Sequence, residues 1–458
     1  MSGAGRGAAS AARLGAFALL LSVAAAGPSA AKPPLGPRGW APGDLPVHLG
    51  SAATTAVLAA AYLLGVLAVV LGWRAGPLRT GWRWPLLLAG LALCTAPIGS
   101  ADHTNYAAYG RIAAGGGDPY AVPPVTWAGG LDPVTAAVEP PWQTTPSVYG
   151  PVATALHTLA SLVGGDNLRQ TVWVWQVLVV AAWLLVRLLL LRLAPGRADL
   201  LWTFNPVVFG VVVVGAHVDA VATAFAVAAC WAAARSPLLV GLALGAAAGT
   251  KVTYAVAGLG VLWAWRALPG LARRVGLLGL GALLVLVPAH LWAGPHVFDQ
   301  LLRARRSVSL ATPWRPVVEA LPGSRSAVFL LAALLAVVLA VALSRLARAR
   351  SSVDRSALTA TFVLTTAYTL AAPYSLPWYD ALTWASLPVL AGGPLDLVLL
   401  ARLGVLALAY VPGRVVGMTA QVEALTLGFR RQVAPLSVLV AWLAVFVLWR
   451  RRHRAVRE

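Results

Sequence analysis

Asp102 stands where a long apolar run gives way to the polar stretch Ser100-Ala-Asp-His-Thr-Asn-Tyr-Ala-Ala-Tyr-Gly-Arg111. A carboxylate at such a boundary is partly desolvated, which suits it to take a proton from a sugar hydroxyl. Asp is also an apt N-cap for the helix that follows, and the two roles can coexist. Beyond His103 and Tyr106 comes the turn Gly115-Gly-Gly-Asp-Pro-Tyr120, three flexible residues followed by a fixed φ. Tyr120, Trp127, Trp142 and Tyr149 make an aromatic set that reads either as an interfacial belt or as a surface for sugar rings.

Further along, His217-Val-Asp219 follows a helix that Asn205-Pro206 breaks at its start. Ionisable groups inside apolar segments are expensive, so they mark function or pair with one another. Two such ligands with no third at a suitable spacing make a weak metal site. Lys251, one of two lysines in the chain, sits within a long apolar stretch; it needs an anion, or it snorkels to an interface. Arg303, Arg305 and Arg306 form a basic group whose forks match phosphate oxygens, on a donor or on ordinary anionic lipid. The turn Pro373-Tyr-Ser-Leu-Pro-Trp-Tyr-Asp380, with Tyr379, is placed to close the same cleft.

The elements that must position these residues are membrane helices. Of 458 residues, 59% are hydrophobic and 11% charged, too apolar for a water-facing surface. Runs approaching the roughly 20 residues needed to cross the hydrocarbon core recur at 52–73, 168–193, 275–291 and 327–346, with shorter ones between, which predicts an all-α bundle of about 12 to 14 membrane segments. The net charge of +20 comes largely from arginines grouped at helix ends, such as Arg79 with Arg83 and Arg273 with Arg274. That is the positive-inside pattern, not the contiguous basic face a nucleic-acid binder needs.

Charge then orients the chain. The first run, residues 14–26, reads as a retained signal anchor in preference to a cleaved leader. Residues 101–168 and 292–325 fall outside as extracytoplasmic loops, within a single domain at 1–450. The basic tail at 451–458 and the N-terminus fall in the cytoplasm. Arg303, Arg305 and Arg306 break this rule by lying outside, which calls for an anion at the surface. Cys94 and Cys230 both lie in apolar runs with no disulfide or metal spacing.

No P-loop, dinucleotide fingerprint, GxSxG elbow or HExxH is present. This argues against nucleotide-sugar chemistry on the inner face. The segments Asp102 to Tyr106, Gly117-Asp-Pro-Tyr120, Trp142-Gln-Thr-Thr-Pro-Ser-Val-Tyr-Gly-Pro151, Asn205-Pro206, Gly215-Ala-His-Val-Asp219 and Gly249-Thr-Lys251 occur in one order. As a set the chain resembles the polyprenol-phosphomannose-dependent α-1,6-mannosyltransferases, GT-C-fold glycosyltransferases of actinobacterial cell envelopes, over about residues 85 to 390. Val218 stands where family members often carry Asn.

The resemblance implies an inverting transfer of a sugar, most often mannose, from a polyprenyl phosphate to a glycan or glycolipid on the outer face of the plasma membrane. Asp102 takes the role of general base. Arg303, Arg305, Arg306 and Lys251 are then the phosphate-binding candidates. His103, Tyr106, Tyr120, Tyr149, His217, Asp219 and Tyr379 are the substrate-binding candidates. No cofactor is required, and a divalent metal is optional. The competing class is a transporter or lipid-linked-sugar flippase, which predicts polar residues at the midplane on broken helices.

Overall fold

The computed structural model describes residues 3–299, 307–321, 323–347 and 352–454. Among these the regular structure is helical, with one isolated bridge between Ser29 and Lys32. The helices are α1 (Gly3–Ala25), α2 (Ser51–Ala75), α3 (Arg83–Leu93), α4 (Asp102–Ala114), α5 (Pro151–Gly164), α6 (Leu168–Leu193), α7 (Pro206–Val214) and α8 (Asp219–Ala232). They continue as α9 (Pro237–Thr250), α10 (Val256–Trp265), α11 (Leu271–Ala293), α12 (Trp314–Ala320), α13 (Arg325–Leu346), α14 (Val353–Ala371), α15 (Ala381–Ser386), α16 (Pro394–Ala409) and α17 (Ala420–Arg454).

By length and composition, α1, α2, α6, α11, α13 and α17 can each cross a membrane, or seven segments can if bent α7–α8 counts as one. The chain is therefore a multi-pass membrane protein. The remaining apolar runs are shorter helices, and the reason is local. Proline enters the first turn of α5, α7, α9 and α16, where its missing N–H is not needed. Asn167, Asn205 and Ser236 cap α6, α7 and α9 by accepting backbone N–H groups. The run at 84–100 holds only the short α3, and the run at 381–390 only the buried α15.

The broken pair α7–α8 occupies the centre, with nearly every residue from 198 to 230 buried. Around it α1 packs on α2, α4 on α5, α9 on α11 and α10 on α14. Without water to drive apolar surfaces together, close approach depends on small residues. A Cβ on Gly241 would lie 2.1 Å from the carbonyl oxygen of Leu278, and one on Gly281 would lie 2.4 Å from that of Leu238. Little else of α11 is buried, so its leucines and valines face lipid.

Two arginines inside apolar runs prove to be internal struts. Arg187 is fully buried and donates to Asp199, with Nε to Oδ1 at 2.9 Å, and stands over the Trp82 ring. Arg402 pairs with buried Asp380 and also donates to the Thr369 carbonyl at 2.8 Å and Ser375 Oγ at 3.0 Å. One guanidinium thus fixes the whole turn from Pro373 to Asp380. Cys230 is buried and free, whereas Cys94 is free and exposed.

Candidate active site

The site is built at the two breaks in the central helices. Asn205 Oδ1 accepts from Val207 and Val208, starting α7, whose latter half widens into a π-helix before ending at Gly215. Ala216 then adopts φ 50°, a left-handed conformation unusual for alanine. Trp175 Nε1 holds it there by donating to the Ala216 carbonyl at 2.7 Å. The chain turns through 110° into α8, and the turn presents His217 and Asp219 on adjoining surfaces.

His217 is buried and lies flat on Trp378, with ring centres 3.7 Å apart and planes 10° from parallel. Its Nδ1 is 3.4 Å from Oδ2 of Asp102. With no hydrogen-bond partner for Nδ1 among the described residues, this is a close approach and not a hydrogen bond. Asp102 begins α4, but Ala101 is the N-cap and the Asp102 carboxylate makes no capping bond. The carboxylate is therefore free for another role.

On the other side of the turn, Asp219 Oδ1 accepts from Lys251 Nζ at 2.7 Å and from Tyr254 Oη at 3.0 Å. Asp219 Oδ2 is buried without a partner among the described residues. Lys251 is mostly buried, with Nζ 3.5 Å from the centre of the Tyr379 ring, so it does not snorkel away. Its seat is made by α9 ending at Thr250 and by the loop between α4 and α5: Gly150 N–H donates to the Thr250 carbonyl at 3.1 Å. One cleft is lined by Asp219, Lys251, Tyr254, Tyr368 and Tyr379. A neighbouring one is lined by His217, Trp378, Tyr410 and Gly99.

Of the remaining candidates, Tyr149 joins the site half-buried, while Tyr106 stands behind Asp102 as a buried packing residue. The Tyr106 ring stacks on His157 at 4.9 Å and meets Tyr149 and Trp175 edge-on. His103 is fully buried, and burial pushes its imidazole down to about 3, so the ring is neutral at physiological pH. Tyr120 is buried too, its hydroxyl 2.7 Å from Thr154 Oγ1, and it ties the glycine turn to α5. Arg303, Arg305 and Arg306 lie outside the described residues. Among the described residues, no group of three His, Cys, Asp or Glu side chains forms a donor set for a metal ion.

Sequence reasoning passed over Trp378, Tyr254, Tyr410, Arg402 and Arg430. A signal existed for Arg402, an arginine within the apolar run at 395–410. It needed a partner, and only the fold shows that the partner is Asp380.

Residues 12–268 match the family described as "Alpha-(1->6)-mannopyranosyltransferase, N-terminal domain". The chain belongs to this family. Among similar proteins, alpha-(1->6)-mannopyranosyltransferase B of Corynebacterium glutamicum is 28% identical over 213 residues, 44% of this chain and 32% of the relative. A probable alpha-(1->6)-mannopyranosyltransferase of Mycolicibacterium smegmatis is 33% identical over 147 residues, 30% of this chain and 25% of the relative. Alpha-(1->6)-mannopyranosyltransferase A of Mycobacterium tuberculosis is 34% identical over 121 residues, 26% of this chain and 19% of the relative. The similarity thus spans a third or less of each relative's length. The crystal structure of ArnT from Cupriavidus metallidurans bound to undecaprenyl phosphate matches 84% of this chain and 75% of its own, at 14% identity and a TM-score of 0.41.

Proposed function

We propose that this member of the family is an inverting membrane glycosyltransferase. It moves a sugar, mannose first among candidates, from a polyprenyl phosphate to a glycan or glycolipid on the extracytoplasmic face. The supporting observation is the break at 215–219. It sets His217 beside the Asp102 carboxylate on one side and a buried cation, Lys251, on the other.

In the reaction, the acceptor hydroxyl gives its proton to Asp102 as its oxygen attacks the anomeric carbon. The bond from that carbon to the phosphate oxygen breaks, and polyprenyl phosphate leaves with the electron pair. Phosphate is already a good leaving group, so base, clamp and positioning suffice. Lys251 gives one N–H to Asp219 and turns another face to the Tyr379 ring, which leaves donor capacity for a phosphate oxygen. Asp219 Oδ2, with no protein partner, is suited to accept from a sugar hydroxyl. His217 lies beside Asp102, and Trp378 holds the His217 ring flat. The reading takes residues 1–450 as one domain, loops 101–168 and 292–325 as extracytoplasmic, both termini as cytoplasmic, and Arg303, Arg305 and Arg306 as further phosphate ligands.

One observation favours a second reading. The helix breaks at 215–219 and 250–252 put charged groups on discontinuous helices, as transporters do. Vesicles holding the protein, given labelled polyprenyl-phosphate mannose and a glycolipid acceptor, separate the two. Labelled glycan in the acceptor supports the transferase. Labelled donor moved across the bilayer, with no transfer, overturns it.

A further inference from the structure

Arg430 lies half-buried on α17, beside the cleft that His217 and Tyr410 line. Its Nε donates to the Ala409 carbonyl at 2.8 Å, and its guanidinium carbon is 4.0 Å from the centre of the Tyr410 ring. Of the buried arginines, Arg169, Arg187, Arg402 and Arg414 each hold a carboxylate, while Arg13 donates to the Phe204 carbonyl. Among the described residues, Arg430 has no carboxylate partner. A cation withdrawn from water without a counter-ion is costly, and the cost is recovered when an anion arrives.

The surroundings say what kind of anion fits. Tyr410 Oη lies 3.3 Å from Ser309 Oγ, so two hydroxyls meet on this wall. The site stands apart from Lys251, because the turn from Pro373 to Asp380 runs between them: Lys251 caps Tyr379, whereas Trp378 meets Tyr410 at 5.8 Å. Arg430 is carried on a helix able to cross the membrane, and Val433, one turn on, is apolar and 41% exposed. With Arg431 and Gln432 exposed beside it, Arg430 sits near the end of the apolar stretch, so an anion meets it at headgroup depth.

We infer that Arg430, with Tyr410, binds the phosphate of a lipid at the wall of the cleft that His217 and Tyr410 line, as a second phosphate site besides Lys251. The arginine fork takes two phosphate oxygens and the Tyr410 hydroxyl supplies a further donor. The phosphate belongs either to a polyprenyl carrier or to a bilayer phospholipid. Only the first source rests on the transferase reading.

The test measures binding of polyprenyl phosphate and of phosphatidylglycerol to the purified full chain in neutral-lipid nanodiscs. Arg430→Gln is compared with wild type and with Arg431→Gln, which removes an exposed neighbouring charge. Arg430→Gln is expected to weaken binding by about tenfold or more, Arg430→Lys by less, and Arg431→Gln hardly at all. Loss for polyprenyl phosphate alone assigns the site to the carrier; loss for phosphatidylglycerol assigns it to a phospholipid. Unchanged binding of both by a folded Arg430→Gln protein, or an equal loss in Arg431→Gln, overturns the inference. Arg430-dependent binding in a protein that transfers no sugar would remove the transferase reading and leave this site standing.

Discussion

Lys251 Nζ lies 2.7 Å from Asp219 Oδ1, and the pair is almost sealed from solvent on the aspartate side. Two helix breaks, one before α8 and one after α9, exist to bring these groups together. Removing one member leaves the other charged and unpaired in a dry setting, at a cost of about 3 to 5 kcal/mol. Asp219→Asn and Lys251→Met should each lower the thermal unfolding midpoint in detergent. The double substitution should lose less than the two single losses combined.

His217 stacks on Trp378 and reaches Asp102 through Nδ1. His217→Phe keeps the stack and removes the nitrogen. It should cut kcat on the order of tenfold to a hundredfold through misplacement of Asp102. Donor KM and the unfolding midpoint should change little, which a KM-against-kcat comparison would read.

Gly150 meets α9 backbone to backbone, and a Cβ there would lie 2.2 Å from the Gly249 carbonyl oxygen. Gly150→Ala must push the loop between α4 and α5 away from the seat of Lys251. A loss of about 1 to 3 kcal/mol is expected, with donor binding weakened as well. Unfolding curves and donor titration check the two parts separately.

In the loop between α4 and α5, burial alone would raise the Asp132 carboxyl, but Arg111 at 2.7 Å and the N–H groups of Thr135 and Val134 outweigh it and hold it below its ordinary 3.8. With the folded value depressed, its stabilisation is complete above the unfolded value of 3.8. It is lost as pH falls through the lower folded value. Asp132→Asn should be less stable than wild type at neutral pH, and the gap should narrow on acidification. Unfolding midpoints across pH 7 to 3 would show the convergence.

The breaks that build the site were legible because proline, glycine and lone charges interrupt apolar runs visibly: Asn205-Pro206, His217 to Asp219 and Gly249-Thr250-Lys251 all fall at bends. Asp102 stood out in the sequence as a carboxylate where an apolar run gives way to polar residues. What the residues around it do was not legible. His103, Tyr106 and Tyr120 are polar or aromatic like the cleft residues, yet they are buried in packing that joins α4, α5 and α6. Local sequence carries no mark of which face a neighbouring helix will cover. Arg187 and Arg402 were opaque for a related reason, since their carboxylates are fixed by the fold and not by periodicity.

The central claim is that Asp102 takes the proton from the acceptor hydroxyl. It is tested most directly by the rate of sugar transfer from polyprenyl-phosphate mannose in membranes holding wild type or Asp102→Asn at matched levels. Asn keeps the size of the side chain but cannot accept the proton, so transfer should fall by about a hundredfold to ten-thousandfold while donor binding persists. Equal transfer by the two proteins would contradict the account.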